Sequence, residues 1–146
     1  GTRSRRRGCS LARYEVAVLG LGRFGSALAI ELERAGKKVL GVDPDETLVQ
    51  ALADDIRHLV IAEAHDVETL TQIGIDEDTL CILGMTDVEA SLLIMTALTG
   101  LGVREIWAKS GSAQHTTALS RLGAARIMQP EREAGLTMAE EILSGR

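Results

Sequence analysis

From Tyr14 onward the chain repeats one pattern: a short, almost unbroken apolar run, a turn, then a stretch of helical period. The runs are Glu15–Leu19, Lys38–Val42, His58–Ile61, Thr79–Leu83, Glu105–Ala108 and Ala125–Met128. Runs that are apolar on both sides read as strands covered on both faces. Between and after them lie Ser26–Arg34, Thr47–Asp54, Val67–Ile73, Asp87–Leu101, Ala113–Leu122 and Leu136–Leu143. Their apolar residues recur at three and four, as in an amphipathic helix. Gly36, Gly74, Gly102 and Gly123 follow four of these stretches as stop signals, and Asp45 and Asp87 stand where N-caps or first-turn acids belong. Parallel neighbours need crossovers, and crossovers are right-handed. The alternation therefore predicts an α/β fold: a Rossmann-like, doubly wound, six-stranded parallel sheet with helices on both faces, in the order 3-2-1-4-5-6.

The first turn of that pattern carries the strongest chemical signal. Gly20-Leu21-Gly22-Arg23-Phe24-Gly25 follows the run Val16–Leu19 directly and opens the first helix. Gly20 allows the tight turn, Gly22 lets backbone approach a phosphate, and Gly25 lets the helix pack close to the sheet. The helix N-terminus then offers free N–H groups and a partial positive charge to an anion. Asp43 closes the second strand twenty-three residues after Gly20. A carboxylate there accepts hydrogen bonds from the hydroxyls of an adenosine ribose and repels a 2′-phosphate, which disfavours NADP. Arg23, beside the phosphates, suits a ligand with more negative charge than a two-phosphate bridge, such as ATP or ADP, although a solvent-facing arginine reads equally well from sequence. Lys109 ends the fifth strand at the ligand-binding edge and is a second expected phosphate contact. Glu63-Ala64 and Gly84-Met85, after strands three and four, are expected to flank the adenine. With Phe24, which completes the loop, these are the expected cofactor-binding residues.

Size and charge narrow the function classes. A chain of 146 residues buries roughly 70% of its unfolded surface and needs no disulfide or metal to fold. It leaves no room for a separate catalytic domain beside a cofactor domain. Cys9 and Cys81 show no metal or disulfide spacing and suit a reducing compartment. Arg3, Arg5, Arg6, Arg7 and Arg13 precede the first strand; without them eleven cations face twenty-one acids. Residues 1–13 read as a basic, disordered arm and residues 14–146 as one domain. The acidic body, with one Trp, one Tyr and one Phe, argues against nucleic acid as a partner.

No catalytic constellation is legible. His58, His65 and His115 stand apart from any Ser, Cys or carboxylate at motif spacing, with His115 on a polar stretch near a helix start. Cys81 reads as a small buried hydrophobe. Asp54-Asp55 and Glu140-Glu141 are adjacent on helices and do not face each other.

Several segments together resemble the KTN (RCK N-lobe, TrkA-N) domain: VAVLGLGRFG at Val16–Gly25, VDPDE at Val42–Glu46, IWAKS at Ile106–Ser110 and LGAARIMQPEREAG at Leu122–Gly135. The resemblance runs from about Tyr14 to Leu143. It implies a non-enzymatic, cytoplasmic regulatory subunit, peripheral on the inner face of the membrane, that gates a Ktr/Trk-type potassium transporter or a potassium channel. It implies a dimer assembled into an octameric ring, with ATP or ADP as first-choice ligand and NAD or NADH as second. In that setting Gly20, Gly22 and Gly25 hold phosphates, Asp43 the ribose, and Arg23 reaches the terminal phosphate, across to a neighbour's nucleotide or within one chain. Glu131 helps hold a divalent or sodium ion near the phosphates; read by itself it is an acid in a helix's first turn. Family members continue into a smaller C-lobe, which this sequence, ending at Arg146, does not include. The alternative is the cofactor half of an NAD-dependent oxidoreductase, for which the chain supplies no catalytic acid or base.

Overall fold

Polar caps and αL glycines set the punctuation that the sequence predicts. In a computed structural model describing residues 13–145, the strands are β1 (Val16–Leu19), β2 (Val39–Asp43), β3 (His58–Ile61), β4 (Leu80–Leu83), β5 (Ile106–Lys109) and β6 (Arg126–Met128). The helices are α1 (Arg23–Arg34), α2 (Glu46–Ala51), α3 (Val67–Gln72), α4 (Val88–Leu101), α5 (Ala113–Arg121) and α6 (Pro130–Leu143). Asp45, Asp66, Asp87 and Ser112 each accept backbone N–H bonds at the starts of α2 to α5, satisfying donors that would otherwise be orphaned. The arginine arm lies outside the described residues, apart from Arg13, whose guanidinium stacks over Tyr14. Among the described residues no helix is long and apolar enough to cross a membrane.

All six strands are parallel, in the order β3-β2-β1-β4-β5-β6, as predicted. Period-two alternation divides the core between two layers. Ala17, Leu19, Leu40, Val42, Cys81 and Leu83 face the α4 stripe of Ile94, Met95 and Leu98. Val16, Val18, Val39 and Ile82 face Ala29 of α1 and Val49 of α2 on the other side. Removing a fully buried leucine from either layer, Leu19 or Leu83 for example, costs about 2–5 kcal/mol. The chain reverses direction of winding between β1 and β4. That switch point opens a crevice at the carboxyl ends of both strands.

Three helix boundaries differ from the sequence reading by three residues or more. α1 starts at Arg23 instead of Ser26, because Gly22 itself is the N-cap. α2 stops at Ala51 instead of reaching Asp54 and passes into turns; carboxylates at Asp54 and Asp55 would oppose the negative end of a longer helix. α6 starts at Pro130 instead of Leu136. Proline at the first helical position lacks only an N–H that would be unpaired there, and Glu131 and Glu133 favour the positive end. Glu133, at the fourth helical position, also reaches back to accept the Gln129 N–H at 3.0 Å, satisfying the N-cap donor from one residue beyond the capping-box position.

Candidate functional site

The β1–α1 loop is shaped by close backbone packing. Gly20 has φ +102°, and a Cβ on it would meet Met85 N at 3.1 Å. A Cβ on Gly25 would lie 1.9 Å from the Gly20 carbonyl oxygen, and one on Gly84 2.7 Å from the same atom. Three glycines thus clamp the first turn of α1 against the ends of β1 and β4. Gly84, expected beside a ligand, is instead buried in this clamp. Around Gly22 there is nothing within 4 Å of a Cβ, so this backbone is open to the crevice. α1 has no side-chain cap, unlike α2 to α5, and no acid in its first turn. Its free N–H groups and positive dipole end therefore face the crevice without an internal acceptor.

Asp43, at the end of β2, is 8% exposed. Its Oδ2 accepts the Leu21 N–H at 2.8 Å and its Oδ1 the Asp45 N–H at 2.8 Å. Two backbone donors fix the carboxylate while leaving lone pairs for further donors. Beside it lies a cleft of about 310 Å³ walled mainly by Val42, Ala62, Ala64, Met85 and Ile94, with Gly20, Asp43 and Glu63 at its rim. That combination of apolar walls and few oriented polar groups suits a flat heteroaromatic ring joined to a sugar.

Across the glycine loop a second, polar cleft of about 680 Å³ is lined by Arg23, Lys109, Arg132 and Glu131, with the Ser110–Ser112 turn as one wall. Lys109 Nζ lies 3.8 Å from Glu131 Oε2 and 5.8 Å from the Phe24 ring centroid. Three cations against one acid leave this cleft positive. Phe24 lines neither cleft; it packs with Leu28, Trp107 and Met128 in an apolar hollow on the outer face. The structure therefore sorts the expected residues into two groups. Gly20, Asp43, Glu63, Ala64 and Met85 share the apolar cleft, and Arg23, Lys109 and Glu131 share the polar one. Among the described residues no group of three His, Cys, Asp or Glu side chains gathers at Glu131 or elsewhere. A cation at Glu131 would need phosphate oxygens for most of its ligands, a pattern magnesium accepts.

His115 departs from the sequence reading. It is 2% exposed and not part of a polar surface. Its Nε2 lies 2.6 Å from Ser91 Oγ, and its Nδ1 accepts the Gly111 N–H at 3.1 Å. Nδ1 must therefore carry the lone pair and Nε2 the proton, which it donates to Ser91; the Ser91 hydroxyl donates to Val88 O at 3.1 Å. A histidine that donates to serine cannot be its general base, so this pair is no nucleophile. Burial lowers the His115 pKa, against a smaller opposing effect of Asp87, and keeps the ring neutral. The pair spans twenty-four residues of sequence, which no local motif covers. One signal was present: Ser91 sits in the buried stripe of α4 with Ile94, Met95 and Leu98, where a hydroxyl needs a partner. The Cys81 thiol, buried and near Asp76, is pushed up to about 12, which removes it as a nucleophile at neutral pH.

Residues 16–130 match the family described as the TrkA-N domain. Over 129 residues the chain is 36% identical to "Ktr system potassium uptake protein A" of Bacillus subtilis (strain 168), covering 88% of this chain and 58% of that relative. The chain thus spans little more than half the length of this relative. Among solved structures, the NAD(P)-binding domain of an exopolyphosphatase-related protein from Archaeoglobus fulgidus superposes with a TM-score of 0.80 at 26% identity, over 90% of this chain and 99% of that one. GsuK bound to ADP superposes with a TM-score of 0.65 at 25% identity, over 77% of this chain and 29% of that one.

Proposed function

The chain belongs to the TrkA-N domain family, and on that premise we propose that it is the nucleotide-sensing lobe of a potassium-transport regulator. It binds an adenine nucleotide, passes the ligand's state to a membrane-embedded transporter or channel subunit, and does no chemistry of its own. The observation that carries this reading is the pair of clefts on either side of the uncapped α1 N-terminus. One has apolar walls and a buried carboxylate; the other is cationic. An adenosine fits the first and a phosphate chain the second. The positive balance of Arg23, Lys109 and Arg132 over Glu131 favours ATP or ADP over NADH, whose second riboside brings no charge to neutralise. Glu131, released from Lys109, joins the phosphates in holding a divalent or sodium ion. The tautomer of the Ser91–His115 pair and the inert Cys81 support sensing over catalysis. The name of the potassium-uptake relative supports the partner class, and the ADP-bound GsuK structure supports the ligand class.

Calorimetry and thermal shift with ATP, ADP, NADH and NADPH test this. Ligand at 100-fold excess over its Kd adds about 2.7 kcal/mol of stability, expected for ATP and ADP, smaller for NADH and absent for NADPH because of Asp43. Equal binding of NADPH, or no shift with any nucleotide, contradicts the reading.

Self-association is part of the same proposal. No residue of α6 is buried, and Leu136, Met138, Ile142 and Leu143 are all more than half exposed. Leu136 and Leu143 lie on one side of the helix and Met138 and Ile142 on the other, and a helix that is apolar on both sides is one that partners cover; a second copy, in a dimer and then a ring, covers it here. Substituting Leu136→Asp together with Ile142→Asp is expected to reduce the mass seen by light scattering to that of one chain. An unchanged mass would show that α6 carries no such contact.

A further inference from the structure

The turn that walls the polar cleft is held by the one buried histidine described above. Its three residues are bonded inward. Gly111 N–H goes to His115 Nδ1 at 3.1 Å, Ser112 N–H to Ser110 Oγ at 3.3 Å, and Ser110 Oγ to Ser112 O at 2.8 Å and Thr116 Oγ1 at 2.6 Å. Of these, the His115 bond is the one that leaves the turn and its helix, because the ring continues through Nε2 to Ser91 on α4. Asp87 caps the start of the same helix by accepting the Ala90 N–H at 2.8 Å. It sits beside Thr86, which a Cβ on Gly111 would approach to 3.3 Å.

We propose that His115 is the positioning residue of the polar cleft: neutral, it ties the Ser110–Ser112 turn to α4, and protonated, it lets the turn go. A proton arriving from solvent can bind only at Nδ1, since Nε2 already carries one. Nδ1 then becomes a donor aimed at the Gly111 donor, and that bond is replaced by a repulsion. The groups facing the ring decide how this titrates. From the α4 side the ring meets neutral Ser91 and the charged Asp87, which favours the protonated form; the turn contributes neutral Ser110, Gly111 and Ser112. Lys109 and Glu131, beyond the turn, are paired with each other. Burial outweighs Asp87, so the folded pKa lies below the ordinary value of 6.5. The latch is therefore complete above the ordinary value and is lost as pH falls from there through the lowered one. Its effect on phosphate affinity rests on the nucleotide reading given above.

The experiment uses the 146-residue chain in two ligand-free and ligand-bound series. In ¹⁵N NMR without nucleotide, the ring nitrogens should show Nδ1 unprotonated at pH 8, and the Gly111 amide should move along the His115 titration curve. In His115→Asn, whose side-chain oxygen can take the place of Nδ1 as acceptor for Gly111, that amide should hold still. Calorimetry with ATP from pH 8 to pH 5.5 should show wild-type affinity falling by about two- to fivefold more than that of His115→Asn, because a one-unit pKa difference between bound and free protein reaches its full tenfold only well below both values. ATP's own titration is common to both and cancels. A Gly111 amide indifferent to pH, or a proton on Nδ1 at pH 8, overturns the proposal, and the wild-type spectrum alone decides this should the variant fail to fold. Parallel affinity curves for the two proteins overturn the coupling. No ATP binding at any pH would remove the nucleotide reading and the coupling with it, leaving the latch to stand or fall on the amide.

Discussion

Replacing Gly25 by alanine is expected to destabilise the protein by about 3 kcal/mol or more, near the upper end for a single overpacking change. The added Cβ would lie 1.9 Å from the Gly20 carbonyl oxygen, and neither atom can yield alone. Gly20 is fixed by its N–H bond to Val42 O at 2.8 Å and by the approach of the β4 end, where Gly84 N–H donates to Leu19 O at 2.7 Å. Relief would mean shifting α1 off the sheet, and α1 buries Ala29 completely against it. A loss of this size lowers the melting temperature by about 10 °C in a domain of this length. Gly22→Ala is the contrasting case. Its Cβ meets nothing within 4 Å and its φ of −70° suits any residue, so stability should change by less than about 1 kcal/mol. Nucleotide binding should nevertheless weaken, because the new methyl stands where phosphate would approach. Denaturation curves and calorimetry on both variants separate the roles; a Gly25→Ala protein as stable as the parent would contradict the packing described here.

The same two glycines show what the sequence made legible. Gly25 and Gly20 act on backbone a few residues away, so their spacing within one motif already implied the clamp. Strand order followed because six apolar runs with helical crossovers leave few topologies open. Asp43 could be placed because strand length fixes where β2 must end. The residues that the structure places differently have long-range partners. Gly84 has the Gly20 carbonyl over it only because β4 pairs with β1, sixty-odd positions apart in the chain. Phe24 sits in the glycine motif, but the helix turns it outward toward Trp107 and Met128. His115 reads as polar surface until α4 is laid against α5, and its bond to Ser91 closes a contact that no local period encodes. The first turn of α6 is polar on every side and so carries no apolar period; proline at the first position is its start signal.

Arg23→Ala should separate nucleotides by their phosphate count. Arg23 begins α1 and lines the polar cleft with Lys109 and Arg132, where the phosphate chain of the proposed ligand would run. Hydrogen bonds between a guanidinium and phosphate contribute about 1.5–3 kcal/mol. Every 1.4 kcal/mol is tenfold in affinity, so ATP binding should weaken by about 10- to 100-fold. In the proposed arrangement ADP would be anchored by the glycine loop and Asp43 and its phosphates would stop short of the Arg23 head group, so it should lose less than about threefold. The difference matters for regulation, because a ligand shifts a conformational balance only by its differential affinity for the two states. A wild-type protein that prefers ATP in one state would lose that preference in the variant while still binding ADP. Lysine in place of Arg23 should restore part of the ATP affinity, as it keeps the charge but not the planar fork. Equal losses for ATP and ADP would mean that Arg23 acts on the shared phosphates or on the fold, and the discrimination would have to come from Lys109 or Arg132 instead. Mixing Arg23→Ala chains with chains carrying an Asp43→Ala substitution then asks where the arginine acts. Recovery of ATP binding in the mixture, absent from either variant alone, requires that Arg23 reach the nucleotide of a neighbouring copy; no recovery confines its contact to its own chain.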